Sequence, residues 1–331
     1  MKSIFDIKTE QEFLDVALTN FRYQYRNIEV YRKFVDYLNI DVEAIRSIGK
    51  IPFLPIEMFK NHQILDKNIS TDLYFQSSGT TQMNLSKHFI ANENIYQESI
   101  YKSFEQFIGK PEDFIFLGLL PSYLEKQNSS LIYMVDYLMK KSDKPENGYF
   151  LYNHEDLFKL LNELKDKKVI LFGVSFALLD FLDYCHSERS EESLNSLKNL
   201  VVIETGGMKG RKEEMTKDEL LKILQNGFKT DKIYSEYSMT ELLSQAYSLG
   251  ENIYECPNWM RVLVRNVEDP FSYETAGKTG AINIIDLANI HSCSFIATQD
   301  LGKLLTEGEK KFQVLGRIDH SDIRGCSLLV S

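Results

Sequence analysis

Between residues 114 and 237 the chain repeats one pattern, a short apolar run followed by a longer amphipathic stretch, at roughly 30-residue intervals. The apolar runs are Phe114–Leu119, Gly148–Tyr152, Val169–Val174, Leu200–Ile203 and Lys232–Tyr237, with helical patterns at 129–141, 154–166, 175–185 and 216–226 between them. Strands spaced this way need crossover helices, so the pattern predicts a parallel sheet covered by helices. Val169–Val174 is apolar throughout, as a strand buried on both faces requires. Ligands of such sheets collect at the carboxyl ends of the strands, and the loops there are where chemistry is expected.

The flanks read differently. Residues 8–46 carry Leu14, Ala17, Leu18, Phe21, Tyr25, Ile28 and Tyr31 at helical spacing, and Pro52 and Pro55 end the pattern. Phe89–Gly109 predicts a further amphipathic helix. After residue 250 come short β-like runs at Trp259–Asn266, Gly280–Asp286 and Cys293–Ala297, which suggest a smaller, barrel-like antiparallel part. The expected fold class is therefore α/β, with helix-flanked, mainly parallel sheets plus a β-rich barrel-like sub-domain. The expected division is a helical region at 1–60, an α/β nucleotide-binding core at 61–250 and the β-rich sub-domain at 251–331.

Composition excludes some classes. The 331 residues are 43% hydrophobic and 26% charged, ordinary for a globular protein. The formal charge of −10 argues against a general nucleic-acid binder, which needs a basic footprint. No apolar run approaches the roughly 18 residues of a membrane span. Met1–Phe5 runs into charged residues without a signal-peptide apolar region, and a cytoplasmic location is expected. Cys185, Cys256, Cys293 and Cys326 form no CxxC pair, which speaks against a zinc site or disulfide framework.

Four loops carry candidate chemistry. Ser77, Ser78, Gly79, Thr80 and Thr81 follow the apolar Leu73-Tyr74-Phe75. Glycine allows close backbone approach, successive N–H groups can form an anion nest and hydroxyls add donors, so the stretch can cradle a polyphosphate. Glu204-Thr205-Gly206-Gly207 pairs two glycines that permit flat packing of a base, with Lys209 and Arg211 beyond. Tyr237-Ser238-Met239-Thr240-Glu241 sets a hydroxyl beside a carboxylate, suited to phosphate and Mg²⁺, or equally to a helix start with Thr240 as cap. Thr298-Gln299-Asp300, followed by Gly316-Arg317, can serve ribose hydroxyls and a phosphate, or form surface turns. Gly277-Lys278-Thr279 mimics a P-loop end, but Ser272 stands where the earlier glycine belongs, and a β-turn is expected.

In this order the loops resemble those of the adenylate-forming superfamily. The closer resemblance is to the LuxE-type acyl-protein synthetases. It is carried by Ile51-Pro52-Phe53-Leu54-Pro55, Leu120-Pro121-Ser122-Tyr123-Leu124, Glu204–Gly210, Glu236-Tyr237-Ser238-Met239-Thr240-Glu241-Leu242-Leu243-Ser244-Gln245-Ala246-Tyr247 and Arg324-Gly325-Cys326-Ser327-Leu328. The resemblance implies ATP- and Mg²⁺-dependent activation of a carboxylic acid, a long-chain fatty acid in this family, to an acyl-adenylate. Transfer to an enzyme cysteine and on to a partner such as an acyl reductase would follow.

By the same resemblance Ser77, Ser78, Gly79, Thr80 and Thr81 would hold the outer phosphates, Gly206 and Gly207 the adenine, and Tyr237 would join the nucleotide site. Thr240 would meet the α-phosphate, Glu241 the Mg²⁺, and Asp300 with Arg317 the ribose. Cys326 would accept the acyl group, with Thr240 and Thr80 as the other catalytic candidates. Gln82, Ser238 and Gln299 replace family glycines, and by the LuxE-type resemblance the superfamily's lid domain with its lysine is expected to be lacking after the Gly316–Asp319 segment. Lys87, Lys209 and Arg211 are the cations that could take that lysine's part. A protein of acyl handling in polysaccharide or pigment biosynthesis that does not use ATP is the alternative, as is a non-catalytic nucleotide-binding protein.

Overall fold

The computed structural model describes residues 3–77, 85–121, 128–187, 199–206, 215–305 and 310–318. Two helices occupy the first helical stretch, α1 (Glu10–Asn27) and α2 (Glu29–Tyr37). Thr9 caps α1 in a box with Glu12, satisfying the first free N–H groups, and Ile28 breaks the run with extended backbone. Phe13, Ala17, Leu18 and Phe21 form the buried stripe of α1.

β1 (Leu54–Pro55) and α3 (Met58–Asn61) lead to a hairpin of β2 (Tyr74–Gln76) and β3 (Lys87–Phe89). Next come α4 (Glu93–Phe107), β4 (Ile115–Leu119), α5 (Ser130–Ser142), β5 (Gly148–Phe150), α6 (His154–Glu163), β6 (Val169–Val174), α7 (Ser175–Ser187), β7 (Leu200–Thr205), α8 (Lys217–Phe228) and β8 (Tyr234–Tyr237). The last stretch holds β9 (Ala246–Ser248), β10 (Tyr254–Glu255), β11 (Met260–Arg265), β12 (Gly280–Asp286), β13 (Phe295–Leu304) and β14 (Lys311–Arg317).

The expected parallel sheet is present, in the order β8-β7-β6-β4-β5. Every residue of β4 and β6 is buried, which accounts for their unbroken apolar sequence. The β-rich part is antiparallel, as expected, and among the described strands it does not close into a barrel. From β8 the same sheet continues through β9, β10, β14, β13 and β12 to β11, and β1 adds to β13 in parallel. Among the described strands this path stays open at both ends, β5 and β11.

The helix expected from Phe89 starts only at Glu93, because Asn92 caps it and residues 87–89 are taken by β3. Gly277-Lys278 lies in a turn, with the Lys278 N–H on the Thr275 carbonyl. Helix α1 reaches across to the far part of the sheet. Asn20 donates to the Leu287 carbonyl at 3.1 Å and Gln24 to that of Asn289 at 2.9 Å. These bonds fix the segment after β12, which in turn supports the site. No helix among the described residues is long and apolar enough to cross a membrane.

Candidate active site

The hairpin of β2 and β3 closes the hydroxyl loop at its base. Ser77 N–H donates to the Ser86 carbonyl, and Ser86 N–H to Ser77 Oγ, both at 3.0 Å. Ser77 is thus a loop-closing residue. Ser78, Gly79, Thr80, Thr81 and Gln82 lie outside the described residues. Lys87 is exposed, with its Nζ 5.2 Å from the centre of the Tyr74 ring.

The carboxyl ends of β7 and β8 supply the next groups. Gly206 has φ +75°, a backbone that a side chain would strain, so the first glycine of the pair is required by geometry. Its carbonyl lies 3.1 Å from Ser175 Oγ, at the start of α7. Gly207, Lys209 and Arg211 lie outside the described residues. Thr205 Oγ1 donates at 2.6 Å to Glu236, which Ser238 also bonds. The Ser238 that stands in place of a glycine therefore has a partner in Glu236. Burial pushes the Glu236 carboxyl above its usual range, and the two hydroxyls pull it back only in part.

Thr240 and Glu241 do not start a helix. They sit in a turn closed by Leu242 N–H on the Met239 carbonyl at 3.0 Å. Thr240 is half-buried, while Glu241 is 4% exposed. Burial raises the Glu241 carboxyl, while a hydrogen bond with Ser86 and the charge of Arg317 oppose that shift. Behind the turn, Asp286 accepts from Leu243 N–H at 2.8 Å, Ser244 N–H at 3.0 Å and Ser244 Oγ at 2.6 Å. A buried carboxylate satisfied this fully pins the chain that leaves the turn.

The third group forms across β13 and β14, where Asp300 and Arg317 stand opposite each other. Tyr237 OH donates to Asp300 Oδ2 at 2.8 Å, and Arg317 Nε to Asp300 Oδ1 at 3.2 Å. The Arg317 side chain is 77% exposed and free to reach outward, while that of Asp300 is 13% exposed. Glu241 lies within the electrostatic reach of both.

The structure thus gathers Tyr237, Asp300, Arg317, Glu241 and the base of the hydroxyl loop from segments far apart in sequence. It adds Ser86, His88, Glu236, Asp286 and Asn289, none of which was a candidate. The only sequence hint to Glu236 was its place directly before Tyr237.

The donor set suits a magnesium nucleotide. Mg²⁺ is usually held by one or two carboxylates together with substrate phosphates, and Glu241 offers one carboxylate beside a cationic Arg317. Among the described residues no group of three or more His, Cys, Asp or Glu could hold a metal ion by itself. Cys185, Cys256 and Cys293 are buried, and burial pushes each thiol up to about 12. Cys326 lies outside the described residues.

The model of the family described as "Acyl-protein synthetase, LuxE" matches residues 124–331, and the chain belongs to that family. Solved structures of adenylate-forming enzymes share its fold. One is an open conformation of 2-hydroxyisobutyryl-CoA ligase in complex with 2-HIB-AMP and CoA. It has a TM-score of 0.71 and 11% identity, covering 94% of this chain and 70% of the ligase. Another is ATP-bound MatB from Rhodopseudomonas palustris, with a TM-score of 0.54 and 14% identity, covering 86% of this chain and 52% of MatB. A third is the luciferase-like enzyme from the nonluminescent mealworm Zophobas morio, with a TM-score of 0.50 and 14% identity, covering 85% of this chain and 62% of that one. No curated protein matches the sequence.

Proposed function

We propose that this protein uses Mg-ATP to activate a carboxylic acid, on the family resemblance a long-chain fatty acid, and passes the acyl group to Cys326 and then to a partner protein. The observation that carries this is the Tyr237–Asp300–Arg317 group standing beside Glu241 and the hydroxyl-loop hairpin, at the carboxyl side of the parallel strands. In the first step a carboxylate oxygen of the acid attacks the α-phosphorus of ATP. The bond to the β-phosphate oxygen breaks and pyrophosphate leaves. In the second step the Cys326 thiolate attacks the acyl carbonyl and AMP leaves.

Within this scheme the hydroxyl loop binds the departing pyrophosphate, and Thr240 donates to the α-phosphate. Glu241 would hold Mg²⁺, which would supply neutralising charge to the phosphates. Asp300 accepts from the ribose hydroxyls, with Arg317 free to pair with phosphate or sugar. Preorganised donors and a metal at the developing charge are the main source of rate in such transfers.

Pyrophosphate release with Mg-ATP and a panel of fatty and aryl acids tests the proposal. Acid-dependent release supports it. Mg-ATP binding in a calorimeter separates it from an ATP-independent acyl carrier, which would show none.

A further inference from the structure

His88 lies in β3, two residues after Ser86, which directly precedes the strand. Both are turned to the Thr240–Glu241 turn. Ser86 bonds the Glu241 carboxyl. His88 Nδ1 lies 2.9 Å from the Thr240 carbonyl, and its Nε2 lies 3.0 Å from Asn289 Oδ1. Asn289 Nδ2 in turn donates to the Glu241 carbonyl at 2.8 Å, which fixes the orientation of that amide. His88 and Asn289 are each 1% exposed. Two consecutive carbonyls are therefore gripped from inside, one by the hairpin and one by the segment after β12, while the Thr240 side chain stays half-exposed.

We propose that His88 is a positioning residue: with Asn289 it locks the hydroxyl-loop hairpin to the Thr240–Glu241 turn. The base of the hairpin, at Ser77 and Ser86, and the Thr240–Glu241 turn are then held at one spacing. A neutral imidazole has one N–H to give, and burial, which lowers His88 to about 4, keeps it neutral, so the ring donates to one of these two oxygens at a time. The two oxygens belong to two different parts of the site. The contacts bridge 152 and 201 residues of sequence, so nothing local to β3 requires them. The proposal rests on the adenylation reading above for its catalytic consequence, and on geometry alone for the lock.

Two measurements on the full chain test it. The first is acid-dependent pyrophosphate release with Mg-ATP and straight-chain fatty acids. A misplaced donor costs rate more than ground-state binding, so His88→Ala is expected to lower kcat by about 10²-fold. It should leave KM for ATP within about threefold. His88→Asn, whose amide can still donate to the Thr240 carbonyl, is expected to recover most of that loss.

The second measurement is amide hydrogen exchange across residues 239–243 without nucleotide, where His88→Ala is expected to exchange faster than wild type. Should His88→Ala fail to fold, Asn289→Ala removes the grip from the other side and takes its place in both measurements. Unchanged kcat with only a lowered melting temperature would overturn the proposal, as would equal losses in His88→Asn and His88→Ala. If wild type releases no pyrophosphate with any acid, the adenylation reading fails. The exchange measurement still decides the lock, and unchanged exchange overturns it.

Discussion

Tyr237 donates its hydroxyl to Asp300 at 2.8 Å, joining the end of β8 to the middle of β13 across 63 residues of sequence. The bond leaves Asp300 poised between a buried phenol and the exposed Arg317. Tyr237→Phe removes that donor from a largely buried carboxylate. A loss of about 1–3 kcal/mol in stability is expected, the usual cost for a hydrogen bond to a charged group. Asp300→Ala is expected to weaken Mg-ATP binding by about 10²-fold, which calorimetry reads directly.

Glu241→Gln keeps the shape of the side chain and removes its charge. The buried carboxyl has Ser86 and Arg317 as neighbours. If Glu241 holds Mg²⁺, the variant should fold normally, with a melting temperature near that of wild type. Its acid-dependent pyrophosphate release should fall by about 10²-fold and need more Mg²⁺ to saturate. A titration of rate against Mg²⁺ checks this.

Glu236 predicts a pH dependence. Burial holds its carboxyl above the ordinary carboxylate value, so the folded protein keeps this proton more tightly than the unfolded chain does. The stability it contributes is complete below that value and is lost as pH rises through the raised one. Glu236→Gln never ionises and escapes the loss. Denaturant unfolding should find the variant gaining on wild type as pH rises above the usual carboxylate value and through the raised one. A parallel pair of curves would contradict the assignment.

Cys185, Cys256 and Cys293 are enclosed, and thiols pushed up to about 12 hold almost no thiolate at neutral pH. A thiol-specific reagent should therefore leave these three unlabelled in the native protein, and any label taken up should be lost in Cys326→Ser. That variant should still release pyrophosphate once and accumulate acyl-adenylate. Rapid labelling that persists in Cys326→Ser would show that one of the three is accessible after all.

The parallel half of the sheet was legible in the sequence because β4 and β6 are buried on both faces and therefore apolar at every position. The strands of the second half were partly legible, since β11 and β12 run near their expected bounds. Their continuity with the parallel part was not. It depends on β9, β10 and β14, and the first two are only three and two residues long, too short for a period to register.

The outline of the site was visible as an ordered set of loops, and Tyr237, Glu241, Asp300 and Arg317 do come together. What supports them was hidden. His88 reaches Thr240 from β3, a three-residue strand that borders a helix, and Asn289 acts through an amide that no pattern marks. Asp286 looked like the end of a strand, and only the fold turns its carboxylate toward Ser244.

The central claim is that the chain couples ATP cleavage to acid activation. The most direct measurement follows products by mass spectrometry after incubation with Mg-ATP and the acid panel, using Cys326→Ser to stop the second step. Acyl-adenylate and pyrophosphate appearing together, and only with acid present, is the predicted result. Acid-independent ADP and phosphate, or no nucleotide consumed with any acid, would contradict it.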